Sequence, residues 1–255
     1  MGTSFIRAAL VFYSAVYFCF LGCKEDQRKL SNDHSTAATS IHPDTIASSE
    51  WKAPDTTSLL QNDSGALILY GKKLIANTAT YFGPKGTINH NANGMNCQNC
   101  HLEAGTRLYA NSFSAVNANY PKFRPRSGTL ENLEKRINDC MERSMNGKKL
   151  DSLSHEMGAM VAYINWVGKD VKKGEVPKGA AVFDLPYLGR AADIEKGKVA
   201  FETLCVTCHG ENGEGLKKPD QVTYFYPPLW GPNSFNTAAG MYRLSRLAGY
   251  IKMNM

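Results

Sequence analysis

The chain has 255 residues, of which 43% are hydrophobic and 20% charged, and its net charge is +6. These values are those of a globular protein with one large or two small domains. The basic residues form no runs with interleaved aromatics, which excludes a nucleic-acid-binding module, and the modest positive charge fits a small anionic substrate or an acidic partner.

The chain begins with one early basic residue, Arg7, and an uncharged apolar run from Ala8 to Gly22. The run is short for a membrane-spanning helix, so residues 1–23 are predicted to be a signal peptide. The run leads into Cys23 through Phe20-Leu21-Gly22, which resembles a bacterial lipobox whose cysteine receives a diacylglycerol. We therefore predict a periplasmic lipoprotein held to the membrane by a lipid anchor. Ordinary secretion and an uncleaved anchor are the alternatives.

Residues 24–60 are rich in Ser, Thr, Asp and Lys and have no apolar period. They are predicted to form a flexible tether between the lipid and the folded part.

Two pentapeptides carry the chemistry of the folded part. Residues 97–101 read CQNCH and residues 205–209 read CVTCH, and both fit the C-x-x-C-H signature of covalent c-type haem attachment. The two thiols bind the haem vinyl groups and the adjacent histidine binds the iron. Disulfides or a four-cysteine zinc site are the alternatives, but neither requires the histidine. The predicted haem-attachment residues are Cys97, Cys100, His101, Cys205, Cys208 and His209.

The segments that precede the two motifs are also similar. Residues 65–83 and 192–204 have apolar side chains at helical spacing, and each carries Gly-Lys in mid-helix, at Gly71 and Gly197. In cytochrome c domains an N-terminal helix of this type crosses a C-terminal helix at a small residue, and residues 154–168 are predicted to be the partner of the first. The segment that follows, rich in Lys, Gly and Pro, is predicted to be a linker.

We therefore predict an all-α fold with two tandem cytochrome c-like domains, at 61–170 and 190–255, joined by a linker at 171–189. The second domain has few residues after Gly240. Either the sequence is truncated at its C-terminus, or a shortened second domain packs against the first.

Each haem iron admits a further ligand. In the second domain the candidates are Met241, Met253 and Met255. In the first domain a helix is predicted over 129–146, with Thr129 as its N-cap and with Leu130 and Cys140 on its apolar face. Cys140 is either a buried structural thiol or a thiolate ligand of the first haem. Its competitors as ligand are His90, Met141, Met145 and His155.

Basic residues surround Cys140 in the sequence, and Arg136 and Ser144 lie four residues to either side of it. Arginines near a buried cysteine favour its thiolate, and they hold oxyanions through forked hydrogen bonds. The alternative is a solvated basic face on an amphipathic helix.

The combination resembles the dihaem thiosulfate dehydrogenase family over about residues 65–255. The similarity rests on GMNCQNCHLEAGT, RPRSGTLENLEKRINDCMERSMNGKKL, EMGAMVAYINWVG, CVTCHGENGEG and the terminal IKMNM. The resemblance implies two covalently bound haem c groups, with iron ligands His101 and Cys140 in the first domain and His209 and Met255 in the second. It also implies substrate-holding roles for Arg126, Arg136 and Ser144. Some members have Lys where this chain has Asn254, so here only the methionine is expected to bind.

The same resemblance implies that two thiosulfate ions are joined to tetrathionate, with electrons passing through the second haem to a soluble cytochrome c or similar acceptor. We hypothesise that Cys140 transiently carries a sulfur adduct of thiosulfate. Three rival functions remain open: a non-catalytic dihaem electron carrier, a tetrathionate reductase, and the haem subunit of a sulfur-oxidising complex. An electron carrier needs no anion pocket, which argues against the first.

Overall fold

A computed structural model describes residues 51–255 of the chain. The predicted signal peptide, the lipobox cysteine and most of the predicted tether lie outside the described residues. The α-helices are α1 Asp63–Ala76, α2 Thr78–Phe82, α3 Leu102–Gly105, α4 Val116–Asn119, α5 Leu133–Arg143, α6 His155–Val167, α7 Ile194–Leu204, α8 Val206–His209 and α9 Leu244–Asn254. The strands are β1 Lys122–Arg124, β2 Thr129–Glu131, β3 Leu216–Lys217 and β4 Tyr224–Tyr226, and short 3-10 helices lie at Thr56–Gln61, Cys97–Asn99 and Gly240–Tyr242.

Helices α1 and α6 form the centre of the first domain. Side-chain caps begin both helices: Asn62 accepts a hydrogen bond from the Gly65 amide at 2.8 Å, and Ser154 accepts one from the Met157 amide at 3.2 Å. The helices cross at Gly71, where an added Cβ would collide with the carbonyl of Ala159. The predicted crossing at a small residue is therefore confirmed. The fully buried side chains around it are Leu74, Phe82, Met141, Met157, Met160, Tyr163 and Val167.

The helix predicted over 129–146 is wrong at its N-terminal end. Residues 129–131 form strand β2, which pairs antiparallel with β1 so that Arg124 faces Thr129. Gly128 adopts a φ of +66° in the turn between the strands, a conformation that glycine reaches without strain. The helix begins only at Leu133, after Asn132 has accepted the Lys135 amide at 2.9 Å. Leu130 consequently lies exposed on the hairpin and not on a buried helical face.

The second half of the described chain is packed differently. Helix α7 forms as predicted and is capped by Asp193, yet none of its residues is buried. Ile194, for example, is 84% exposed. Strands β3 and β4 form a small antiparallel hairpin after the second motif.

The last helix, α9, packs on the first C-x-x-C-H motif and on residues 183–184 of the predicted linker. The Tyr250 hydroxyl donates to the carbonyl of Asn99 at 2.8 Å, and a Cβ on Gly249 would collide with the carbonyl of Phe183. Arg246 pairs with Asp184 at 2.7 Å. The architecture is mainly helical, as predicted, with the two hairpins as additions. Within residues 51–255, no helix has both the length and the apolar character that crossing a membrane requires.

Candidate active site

The first C-x-x-C-H motif lies in a turn that side chains hold in place. Asn96 accepts the amide of Ala79 at 2.9 Å, and the Cys97 amide donates to the Thr78 hydroxyl at 3.0 Å. Gln98 donates to the carbonyl of Ala76 at 2.6 Å. The motif is thus fixed to the junction between α1 and α2, and its geometry follows from the position of α1.

The imidazole of His101 is oriented by a backbone carbonyl. Its Nδ1 lies 2.6 Å from the carbonyl oxygen of Asn111, which can only accept, so Nδ1 carries the proton and Nε2 is left to bind iron. Asn111 has a φ of +53°, and its side chain donates to the carbonyl of Cys100 at 3.2 Å. The ring packs against Phe113 with centroids 4.6 Å apart. Burial, together with the charge of Arg136, lowers the pKa of His101 to about 4, which keeps the imidazole neutral.

A cavity of about 270 Å³ opens beside this motif. Cys140, Arg136 and Ser144 line it together with Cys97, Cys100 and His101. The rest of its wall is mainly apolar, with Ile75, Phe113, Val116, Ile137, Met141 and Ile164 among its members. Two thiols, a neutral imidazole and an apolar wall are the groups that a covalently attached haem requires, so the residues fit haem c. Cys140 lines the same cavity and could bind the iron through its thiolate when the haem is present.

The electrostatics of the cavity are centred on Arg136 and Cys140. The negative charge of a Cys140 thiolate raises the pKa of Arg136, although burial opposes the shift. Burial raises the pKa of Cys97 to about 11 and that of Cys100 to about 12, and the charge of Cys140 adds to both shifts. Cys140 therefore lies close enough to the haem-attachment thiols and to Arg136 for their charges to interact.

The structure brings together three of the four predicted substrate residues, namely Cys140, Arg136 and Ser144. Arg126 is exposed on the β1–β2 turn and does not line the cavity, whereas Arg124 does. Residues 122–131 form a hairpin that carries Arg124 to the cavity wall and leaves Arg126 on the turn, whereas a role for Arg126 was implied by the family resemblance. Arg124 is held beside Glu131, with 3.9 Å between Nε and Oε2.

Of the other candidate ligands for the first haem, two methionines line the cavity and two histidines lie outside it. Met141 and Met145 are buried in its wall. His90 is exposed, and His155 is exposed and stacks on Tyr70 with ring centroids 5.5 Å apart. The two histidines therefore lie on the surface.

Tyr120 belongs to this site, although the sequence alone did not predict it. It lines the cavity, and burial raises its pKa while the charges of Arg136 and Arg124 oppose the shift. No local signal in the sequence marks Tyr120 or Asn111 as part of this site, because their roles depend on contacts made through space.

The second motif repeats the histidine arrangement of the first. Nδ1 of His209 donates to the carbonyl of Pro227 at 2.8 Å, and the buried ring lies against Tyr226 with centroids 6.2 Å apart. Cys205 follows the end of α7 and Cys208 lies in α8. With these two thiols, the second motif also fits haem c.

The three candidate methionines of the second domain differ in position. Met241 is buried, and its sulfur lies 3.9 Å from Nδ2 of Asn111, beside the first motif. Met253 is exposed near the end of α9, and Met255 follows that helix with 69% of its surface exposed. Asn254 donates to the carbonyl of Tyr109 at 3.2 Å. Ligation of the second haem by Met255 stays a prediction.

The described part of the chain contains neither a disulfide nor a four-cysteine zinc site, which were the alternatives to haem attachment. Its five cysteines, at positions 97, 100, 140, 205 and 208, are free thiols. Nor does any group of three or more His, Cys, Asp or Glu side chains in residues 51–255 converge as a metal site would.

Comparison with known proteins supports two haem domains. Residues 88–172 match the model of the SoxA/TsdA cytochrome c domain, and residues 194–248 match the cytochrome c model. The chain thus contains two cytochrome c domains and two haem c cofactors. The matched ranges contain both C-x-x-C-H motifs, and the first also contains the cavity-lining part of α5.

Curated relatives extend the match to most of the chain. A thiosulfate dehydrogenase of Allochromatium vinosum is 38% identical over 196 residues, which is 75% of this chain and 70% of that protein. One from Psychrobacter arcticus is 36% identical over 204 residues, 80% of this chain and 60% of that protein. A third, from Stutzerimonas stutzeri, is 33% identical over 81% of this chain and 65% of that protein. The aligned part of the chain thus spans between 60% and 70% of the length of these relatives.

A solved structure agrees with the sequence relatives. The thiosulfate dehydrogenase TsdBA of Marichromatium purpuratum superposes with a TM-score of 0.74 and 29% identity, over 82% of this chain and 45% of that one. The fold, the two haem motifs and the identity to relatives over most of their length agree, and the chain belongs to the thiosulfate dehydrogenase family of dihaem c-type cytochromes.

Proposed function

We propose that this protein oxidises thiosulfate, joining two ions into tetrathionate at the first haem site. The observation that carries the proposal is that Cys140, Arg136 and Ser144 line one cavity with the first C-x-x-C-H motif. An electron carrier needs no half-buried arginine beside an unpaired thiol, so this cavity favours an enzyme over a dihaem carrier.

The charges in the cavity suit this substrate. Thiosulfate is a dianion, and two of them repel each other strongly wherever water is excluded. Arg136 presents a guanidinium inside the cavity, and Arg124 presents a second one from the β1–β2 hairpin. Their forked donors match the sulfonate oxygens of the substrate and offset the repulsion. Ser144 adds a hydroxyl donor to the same wall.

Cys140 provides the nucleophile. Its thiolate forms a sulfur–sulfur bond with the terminal sulfur of the first thiosulfate, and two electrons leave, which gives a cysteinyl thiosulfonate. The terminal sulfur of the second thiosulfate then attacks the adduct sulfur that is bonded to Sγ of Cys140, and the bond between that sulfur and Sγ breaks. This attack releases tetrathionate and restores the thiolate, so the two steps balance as two thiosulfates to one tetrathionate and two electrons.

The two haem c groups, when bound, supply the one-electron centres that accept these electrons. Because thiolate ligation lowers and methionine ligation raises a haem potential, the predicted ligands favour transfer from the first domain to the second. A soluble cytochrome c or a similar carrier is the proposed final acceptor. The opposite direction, tetrathionate reduction, uses the same residues, and the potentials decide between them.

The test is thiosulfate-dependent reduction of an artificial acceptor by the haem-loaded protein, with tetrathionate measured as product. We expect the parent to consume two thiosulfates for each tetrathionate formed. Cys140→Ala removes the nucleophile, and Cys140→Met keeps a potential iron ligand that cannot form the adduct, so both variants should be inactive while retaining two haems. If the parent carries both haems and shows no turnover in either direction, the proposal is refuted. The remaining functions are then a dihaem electron carrier and the haem subunit of a sulfur-oxidising complex.

We further propose that the protein is periplasmic and anchored by a lipid on Cys23, on the basis of the lipobox-like sequence. The test is fractionation of cells that express the full chain and its Cys23→Ser variant, which cannot be acylated. The parent should sediment with membranes, and the variant should not. Equal distribution of the two would contradict the anchor.

A further inference from the structure

The helix that carries Cys140 ends against a segment of the second cytochrome c domain. The last carbonyls of any helix lack partners inside the helix and need donors from elsewhere. In α5 the carbonyl of Cys140 is satisfied locally, by the Ser144 amide at 2.8 Å. The carbonyl of Met141 accepts the Gly147 amide at 3.0 Å, and the last two carbonyls, those of Glu142 and Arg143, both bond to Asn236. Asn236 lies within the range that matches the second domain.

Asn236 makes these contacts with two different groups. Its side-chain amide donates to the carbonyl of Glu142 at 2.9 Å, and its backbone amide donates to the carbonyl of Arg143 at 2.9 Å. The side chain also donates to Oδ1 of Asn146 at 3.2 Å. Asn146, which follows the C-cap residue Ser144, has a φ of +45° and returns a hydrogen bond to the carbonyl of Pro232 at 3.0 Å.

The second domain also reaches the chain that leads into the first haem motif. Asn93 donates to the carbonyl of Ser234 at 3.2 Å, and its own backbone amide donates to the carbonyl of Met145 at 3.1 Å. Residues 232–236 are thus bonded both to the end of α5 and to the segment that enters the first haem motif. These two parts carry Cys140 and Cys97, on two walls of the cavity.

The loop of Asn236 holds its amide in a fixed orientation. Oδ1 accepts the amide of Ala238 at 3.0 Å, so the carbonyl side of the amide is occupied by its own loop and the amino side faces the helix. A donor fixed in this way specifies the position of the carbonyls it binds.

We propose that Asn236 is a positioning residue for Cys140 and Ser144, through which the second haem domain sets the geometry of the active site in the first. The inference rests on the proposed function for the statement that Cys140 reacts with substrate, but the contact itself does not. Reacting groups displaced by about 1 Å lose on the order of 100-fold in rate, so a shift of the last turn of α5 alters both iron ligation and turnover.

The experiment compares three variants of the haem-loaded full chain. Asn236→Asp keeps the acceptor for Ala238 and replaces the donor with an oxygen that repels the carbonyl of Glu142. Asn146→Gly retains the left-handed backbone and removes the bridging amide. Asn233→Ala, at an exposed position in the same loop, is the matched control.

The readouts are the ferric electron paramagnetic resonance signal of each haem, the two midpoint potentials, and kcat and KM for thiosulfate. We expect Asn236→Asp to change the first-haem signal and potential and to lower kcat by about 10-fold or more, with a smaller effect in Asn146→Gly. The second-haem potential and all values for Asn233→Ala should stay at those of the parent.

Two results separate the possible failures. Parental first-haem signals and kcat in Asn236→Asp, with only a lower melting temperature, would overturn the inference and leave a purely structural tie. A parent that does not turn over thiosulfate would refute the proposed function, and the first-haem signal and potential would still decide whether Asn236 positions α5.

Discussion

The two cytochrome c domains begin with similar sequences, yet they differ in how much of their apolar surface the described chain buries. In the first, α1 meets α6 over Gly71, and Tyr163 is completely buried beside that crossing. In the second, the corresponding helix α7 carries Gly197 with open space beyond it, and Val199 is 62% exposed. A repeated sequence pattern therefore does not guarantee repeated packing. The rigid core lies under the domain that holds Cys140, as a site that must fix reacting atoms requires.

The two mid-helix glycines give the largest expected contrast. Gly71→Ala places a Cβ against the backbone carbonyl of Ala159, which cannot move without separating α1 from α6, and should cost about 4 kcal/mol or more. Gly197→Ala meets no atom within 4 Å and should stabilise α7 by about 0.5–1 kcal/mol, because alanine is the better helix former. Amide hydrogen exchange measures both effects: protection of α6 should fall in Gly71→Ala, and protection of α7 should rise in Gly197→Ala. Equal destabilisation by the two changes would contradict the packing difference.

Truncation of apolar side chains should show the same contrast with a smaller effect. Leu74 is fully buried, so Leu74→Ala removes packed methyl groups and should cost about 3 kcal/mol. Val199→Ala removes exposed methyl groups and should change stability by less than about 0.5 kcal/mol. Denaturant unfolding followed by circular dichroism measures both. A large loss in Val199→Ala would mean that α7 is covered in solution.

The two domains also differ in how deeply they bury a paired carboxylate. Glu131 is 2% exposed and accepts from Lys135 at 3.1 Å, whereas Glu202 faces Lys198 at 3.9 Å with both side chains largely exposed. Glu131→Gln should cost about 1–3 kcal/mol, and Glu202→Gln close to nothing, because exposed pairs contribute little. Chemical denaturation at pH 7 measures the difference. An equal loss of unfolding free energy in Glu202→Gln and Glu131→Gln would contradict the predicted difference.

The effect of Glu131 should also depend on pH. Burial opposes its ionisation, but hydrogen bonds from Ser127 and Lys135 and the charges of Lys135 and Arg124 prevail and hold its pKa below the ordinary value. A carboxyl group with a lowered folded-state pKa stabilises the protein above its unfolded pKa, and this contribution is lost as the pH falls through the folded value. The gap in stability between parent and Glu131→Gln should therefore narrow below about pH 4. A stability difference between parent and Glu131→Gln that stays constant down to pH 3 would contradict the lowered pKa of Glu131.

The helix caps should give the smallest effects, and these should be alike in the two domains. Ser154 caps α6 and Asp193 caps α7, each by accepting one amide at the helix start, at 3.2 Å and 3.0 Å. Replacement of either by Ala should cost about 1 kcal/mol in the protection of its own helix. Hydrogen exchange at the first turn of each helix measures this. A much smaller loss for Asp193→Ala would show that the domains differ in local helix formation as well as in packing.

The sequence was sufficient for features that depend on local pattern. The two C-x-x-C-H motifs and the helices around Gly71, around Gly197 and at residues 154–168 follow from spacing and periodicity, although the segment 65–83 forms two helices, α1 and α2. The crossing of α1 with α6 was expected from the similarity to cytochrome c domains. Cys140 was singled out because its spacing placed it on the inner face of a helix, and it lines the cavity.

The remaining features depend on contacts between distant parts of the chain. Residues 129–131 were predicted as the first turn of a helix, because the pairing of two strands as short as these leaves no clear pattern in the sequence. They form the second strand of the hairpin at 122–131, which places Arg124 at the cavity, whereas the family resemblance had implied Arg126. The carbonyl of Asn111 that orients His101 has no side-chain signature at all. Asn236 lies 90 or more positions away from the helix it caps, so no local pattern can reveal it.

The measurement that tests the account most directly is electron paramagnetic resonance of the ferric, haem-loaded protein beside its Cys140→Met variant. If the first domain holds the reactive centre, the parent should show two distinct low-spin haems. The signal with thiolate character should disappear in the variant, while the second haem is unchanged. Two parental signals without thiolate character, both unaltered in Cys140→Met, would contradict a cysteine-ligated active-site haem.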